Sequence, residues 1–233
     1  EGKAFVELGR TQVLTQETYY LGAVDAVDLD ADGNREILVA GGDPDKTVGR
    51  LFLYRWDGKS LKLAASTALT STVCGAQGAH AFALADVDGD GSRELAVGTS
   101  MYERGLRVYK YDPARSELKL IGSLPLGGDV SAVFTRDVNG NAREELWAMA
   151  GPWRAYSLIA VEYDPGTKEL VRRSVTPLAS FVRPDESAFS ATANGFLIAT
   201  DWWRDLASWS SWSKAGQKAG HILVDGARGR VLH

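Results

Sequence analysis

A nine-residue acidic stretch recurs in this chain every 50 to 60 residues or roughly so, and a repeat of that length constrains the fold before any other feature does. Its fullest copy is Asp86-Val87-Asp88-Gly89-Asp90-Gly91-Ser92-Arg93-Glu94. Carboxylates stand at positions 1, 3, 5 and 9, with a glycine at position 6. So many acids repel one another unless water or a cation screens them, and hard cations such as Ca²⁺ take about six to eight oxygen ligands. Alternate acidic positions on a tight loop aim their oxygens at one centre. Gly91 lets the backbone turn around it, and Ser92 at position 7 offers a backbone carbonyl. Asp28-Leu29-Asp30-Ala31-Asp32-Gly33-Asn34-Arg35-Glu36 has the same layout upstream. Asp137-Val138-Asn139-Gly140-Asn141-Ala142-Arg143-Glu144-Glu145 has it downstream in weakened form. A single stretch of this kind has a solvated surface turn as its plainer alternative; the recurrence is what argues against it.

Each copy sits in the same context. In the second unit, Ala81–Ala85 is short and apolar, the acidic loop follows, and Leu95-Ala96-Val97-Gly98 is apolar again. After a variable stretch, Leu106-Arg107-Val108-Tyr109-Lys110-Tyr111 alternates as a half-buried strand does. Asp112-Pro113 is turn chemistry, and Leu118–Ile121 is a fourth strand. The unit is strand A, acidic loop, strand B, variable loop, strand C, tight turn, strand D. Units over about 20–65, 80–124, 130–175 and 186–233 align on this plan. The fourth lacks the acidic loop and carries Ala193-Asn194-Gly195 instead, a hairpin signal because Asn and Gly accept positive φ. Four-stranded antiparallel units repeated in this way predict an all-β fold, a β-propeller of about four blades.

At these residues the chain resembles the FG-GAP (integrin-α-like, VCBS-type) propeller repeat, specifically in the first two units, less so in the third, and in architecture only in the fourth. In that family the loop between strands A and B binds Ca²⁺. The resemblance implies ligands Asp28, Asp30, Asp32 and Glu36 in the first loop and Asp86, Asp88, Asp90 and Glu94 in the second. Asp137, Asn139, Asn141 and Glu145 are the matching residues of the third. Asn34, Ser92 and Arg143 hold the backbone-ligand position. The third site is expected to be weaker, since Asn keeps an oxygen but loses charge and Ala142 stands where the turn glycine would be.

Family propellers usually have about seven blades. Residues 4–8 read as strand D of a preceding or closing blade, while Arg230–His233 already supplies a D-like strand to the fourth unit. The first reading is therefore a portion of a longer propeller, with its remaining blades as partners. The second is a small ring in which the N-terminal strand displaces Arg230–His233. Glu1 in place of Met leads us to expect that an N-terminal segment has been removed, and no signal peptide is read.

The net charge is −4 with no long single-sign run, which gives no basis for a nucleic-acid partner. Two Ca²⁺ would bring it to 0. No apolar run of about 18 residues is present, so no membrane insertion is expected. Cys74 is the single cysteine, which forbids an internal disulfide. Millimolar calcium suits an extracellular, secreted or periplasmic setting.

The variable B–C loops are where a rigid scaffold places binding residues. Tyr102, Trp153 and Tyr156 fall there, with Trp202, Trp203, Trp209 and Trp212 in the long fourth loop. They read as an aromatic platform for a glycan or protein ligand; the plainer reading is packing within and between blades, which fits Trp147 in strand B and Trp56 at the end of strand C better. A catalytic reading finds little: His80, His221 and His233 form no metal-binding pair, and the serines near Trp209 carry no nucleophile pattern. Two function classes remain beside a purely structural domain: a calcium-stabilised binding or adhesion module, and a propeller of the calcium-dependent polysaccharide-lyase kind. The lyase reading is an analogy at fold level.

Overall fold

The computed structural model describes residues 6–12, 20–43, 48–69, 82–99, 104–151, 157–177, 181–182, 188–192, 195–200, 202–203, 220–225 and 230–232. Among them there is no helix, and so none long and apolar enough to cross a membrane. Four four-stranded antiparallel sheets succeed one another along the chain, each a meander. The first is β1 (Tyr20–Val27), β2 (Glu36–Asp43), β3 (Val48–Trp56) and β4 (Leu61–Leu69). The second is β5 (Phe82–Ala85), β6 (Glu94–Gly98), β7 (Gly105–Asp112) and β8 (Glu117–Pro125). The third is β9 (Asp129–Arg136), β10 (Glu145–Gly151), β11 (Ser157–Asp164) and β12 (Glu169–Pro177). A two-stranded pair, β13 (Phe181–Val182) with β16 (Trp202–Trp203), lies in sequence around the first hairpin of the fourth sheet. That sheet is β14 (Ala188–Thr192), β15 (Gly195–Thr200), β17 (Gly220–Asp225) and β18 (Arg230–Leu232). These are the all-β, blade-like units expected of a propeller.

The first three sheets stack on their faces, and strand alternation in the second feeds both interfaces at once. In β6, Leu95 and Val97 point toward the first sheet, meeting Leu38, Leu51 and Leu53, while Ala96 faces the third. In β7, Tyr109 joins the first interface, and Leu106 and Val108 join Leu146, Ile159 and Val161 in the second. This is why the B strands read as unbroken apolar runs: β6 and β10 are buried along their whole length. The D strands at the sheet edge are mostly exposed, as in β8. Gly98 is required by the stacking, because a Cβ there would lie 2.6 Å from Val130 Cγ1.

The three C–D turns among the described residues share one device. The Oδ1 of Asp57, Asp112 and Asp164 accepts backbone N–H bonds from the residues two and three ahead. Each D strand then carries one extra residue opposite the C strand, Ala64, Ile121 or Arg173, where the register shifts.

Several expectations need correction. Residues 6–8 carry no strand, and Val6 and Leu8 are exposed, so a strand D over 4–8 is not observed; residues 4 and 5 lie outside the described residues. Arg230–Leu232 pairs with β17, which leaves the displaced-strand ring without support. The D strands run longer than their apolar cores, since edge residues need only backbone pairing. Gly195 already pairs with Thr192 and so belongs to β15, while Ala193 and Asn194 lie outside the described residues. Trp202 and Trp203 lie in a strand paired with Phe181–Val182, not in a loop.

Candidate metal centre

Each acidic loop bridges an A and a B strand, and its shape comes from its own side chains. The carboxylate at position 1 holds the turn from inside. Asp86 accepts N–H bonds from Gly89 (2.8 Å) and Gly91 (3.0 Å), and Asp137 accepts them from Gly140 (2.7 Å), Asn141 (3.2 Å) and Ala142 (2.9 Å). Asp28 accepts one from Gly33 (3.2 Å). Position 5 accepts the N–H of position 7: Asp32 from Asn34 (2.7 Å), Asp90 from Ser92 (2.9 Å), Asn141 from Arg143 (2.8 Å). The backbone follows with two left-handed residues per loop. Positions 4 and 6 have positive φ in all three: Ala31 and Gly33, Gly89 and Gly91, Gly140 and Ala142.

Carboxylate oxygens of Asp28, Asp30 and Asp32 lie within 4.8 Å of one another, and so do those of Asp86, Asp88 and Asp90. Oxygens on opposite sides of a calcium ion, each at about 2.3–2.6 Å, stand about that far apart. Asp28 Oδ1 and Asp30 Oδ1 are buried and accept no hydrogen bond among the described residues, whereas the buried Glu94 Oε1 meets the ammonium group of Lys110. Buried acceptors left open are costly, and two of them in the first of the two acidic triads make a donor set that can hold a metal ion.

The position-9 glutamates stand apart from the triads. Glu36 is 1 % exposed and Glu94 is fully buried. Each turns Oε2 onto the backbone N–H of position 2: Glu36 to Leu29 (3.0 Å), Glu94 to Val87 (3.1 Å), Glu145 to Val138 (2.7 Å). Burial raises the pKa of all three, pushing Glu94 up to about 7. They brace the loop and leave Oε1 toward its centre.

Sequence reasoning missed the residues facing the loops from strand C. Arg55 Nε donates to Glu36 Oε1 (3.0 Å), and its Nη2 pairs with Asp30 and lies 3.4 Å from Asp32. Lys110 Nζ pairs with Asp88 (3.2 Å), with Asp90, and lies 3.1 Å from Glu94 Oε1. Burial alone would lower the Lys110 pKa; its three acidic partners hold it above the usual lysine range. The Lys110 contact draws Asp90 below the usual carboxylate range. In the third loop the corresponding residue is Glu162, which accepts from Asn141 Nδ2 (3.2 Å) and Arg173 Nε (2.6 Å) and lies 3.5 Å from Arg143 Nη2. Asn139 donates its amide to Glu145 Oε1. The signal was present: in the first three C strands a charged residue follows Tyr54, Tyr109 or Val161 and precedes Trp56, Tyr111 or Tyr163.

Position 8 also acts, in different ways. Glu144 clamps the third loop to the second, its N–H donating to Asp86 O (2.9 Å) and its Oε2 accepting from Asp86 N–H (2.9 Å). Arg35 and Arg93 instead line a cavity of about 530 Å³ between the first and second loops, with Asp25, Asp28 and Phe82.

Of the aromatics proposed for ligand binding, Tyr102, Trp153, Tyr156, Trp209 and Trp212 lie outside the described residues, and Trp202 and Trp203 are described in backbone alone. Trp147 is buried at 1 % exposure, whereas Trp56 is 38 % exposed beside Gly9.

A search of curated proteins returned no match. The family model described as FG-GAP-like repeat matches residues 28–97, from the first acidic loop through the second and into β6. Over that stretch the chain is similar to an FG-GAP-like repeat.

Proposed function

We propose that this chain is a calcium-stabilised binding module, working outside the cytoplasm, in which the first two acidic loops each take one Ca²⁺. The observation that carries the reading is the pair of aspartate triads, the first with two buried oxygens left open. The resemblance to a repeat whose A–B loops bind calcium supports the choice of ion. The third loop offers two carboxylates and two amides, a poorer set for a hard cation. An ion bound only by the folded chain stabilises it by about 2.7 kcal/mol at a hundredfold excess over Kd. Thermal melts with calcium and with a chelator test this. Calcium raises Tm in the parent chain, and Asp86→Ala lowers both Tm and the size of the calcium increment. Equal increments in parent and variant would remove Asp86 from the ligand set.

The ligand side of the proposal is a glycan or a protein held by the variable loops, with Trp209 and Trp212 as contacts and the other blades of a longer chain as neighbours. Aromatic anchors of this kind carry binding energy out of proportion to their number. Binding to glycan and protein arrays checks it: Trp212→Ala loses the parent's signal at an unchanged Tm. A variant that binds as the parent does excludes this face.

A further inference from the structure

The strand-C residue opposite each acidic loop is matched to that loop's charge. Glu36 and Arg55 lie one residue beyond the paired Ile37 and Tyr54, Glu94 and Lys110 one beyond Leu95 and Tyr109, and Glu145 and Glu162 one beyond Leu146 and Val161. Where the loop has four carboxylates, this place holds Arg55 or Lys110. Where two of the four are amides, it holds Glu162, which faces Arg143 and Arg173 instead. A residue needed only for the strand would have no reason to change sign with the loop.

The cationic heads occupy the same oxygens as the candidate centre. Lys110 Nζ reaches Asp88, Asp90 and Glu94, and Arg55 reaches Asp30, Asp32 and Glu36. A divalent ion at the centre of the triad would stand beside a positive head already there, and like charges so close repel strongly in a partly buried site.

We propose that Lys110 and Arg55 are tethered competitors for the metal: their heads fill the acidic cage of the metal-free chain, and an ion binds by displacing them. This rests on the calcium reading above. The loops then keep their shape without metal, and affinity is set by the exchange of one cation for another. The two cages differ in the ease of that exchange. Lysine is a point charge on a flexible stem, able to swing into solvent, whereas the planar arginine spans Asp30 and Glu36 together. The second loop therefore fills before the first.

The test is calorimetric titration of the whole chain with calcium chloride, for the parent, Lys110→Met and Lys110→Arg, with melts of each in chelator. Lys110→Met keeps the apolar stem and removes the competing charge. Its tighter site gains on the order of tenfold in affinity, the scale of one retained charge contact, and its Tm in chelator falls. Lys110→Arg keeps a competing charge that is harder to displace, and its tighter site is weakened by a few fold. Calcium binding by the parent that Lys110→Met leaves unchanged or weakens overturns the proposal alone. No calcium response in the parent or in Lys110→Met overturns the calcium reading, and this proposal with it. If Lys110→Met fails to fold even in saturating calcium, the lysine is a structural strut that the ion cannot replace, and Arg55→Met decides the first loop by the same criteria.

Discussion

At the residue scale, the acidic loops show how a conformational demand persists after the residue that meets it best has gone. Positions 4 and 6 have positive φ in every loop, yet Ala31 (58°) and Ala142 (63°) occupy two of those six places. A left-handed alanine costs roughly 1–2 kcal/mol against the right-handed form. Glycine removes that cost but gains freedom in the unfolded chain, worth about 0.5–1 kcal/mol the other way. Ala142→Gly is therefore expected to stabilise the chain by about 0.5–1 kcal/mol, measured by urea unfolding in chelator. Gly91→Ala should destabilise it by a similar amount, and backbone strain is its sole cause, because a Cβ at Gly91 meets nothing within 4 Å. A loss of stability in Ala142→Gly would show that the methyl group there packs in a way its exposure does not suggest. The absence of glycine at position 6, read from the sequence as a weakness of the third loop, proves to be a local cost that the loop bears without changing shape.

At the scale of the element, one repeating unit combines a braced loop, an aspartate turn and a bulged edge strand. The bulge matters to the site. In the third sheet the extra residue is Arg173, and its guanidinium reaches Glu162, whereas Ala64 and Ile121 at the same place are apolar and pack onto the neighbouring core. A bulge redirects a side chain without disturbing the pairs on either side. The same place thus serves as packing in two blades and as a counter-ion in the third. The position-9 glutamates follow a similar logic. Their spacing marks them as ligands, but burial and the position-2 N–H make them braces first, with Oε1 taken by Arg55, Lys110 or Asn139.

At the scale of the whole molecule, the first three sheets behave as a stack in which each supports its neighbours. Between the second and third, the apolar contact is reinforced by the Glu144–Asp86 clamp, by Thr135 Oγ1 donating to Leu84 O (3.0 Å) and by Arg172 donating to Pro125 O (3.1 Å). Stacked repeats draw their stability from such nearest-neighbour interfaces. Leu106 is fully buried on the face of β7 that meets the third sheet. Leu106→Ala is expected to cost about 2–5 kcal/mol. Hydrogen exchange should then show protection falling in β9–β11 together with β7. Loss confined to β7 would mean that the sheets unfold separately.

The four-unit plan, the strand order within each unit and the three acidic loops were legible in the amino-acid sequence. They depend on local patterns: alternation in a half-buried strand, turn residues at fixed offsets, and acids spaced to share a centre. The aspartate triads belong to the same class, because contiguous residues on one tight loop come together whatever the rest of the chain does. The partners from strand C do not. Arg55, Lys110 and Glu162 lie some 20 residues from their loops or a little less, and it is strand register that sets each beside the position-9 glutamate. Glu144 could be read as one more acid, but only the stacking of the sheets brings it to the backbone of Asp86 in the neighbouring blade. Contacts within a loop are set by the chain's own geometry; contacts between strands and sheets exist only once hydrophobic burial has chosen which faces meet.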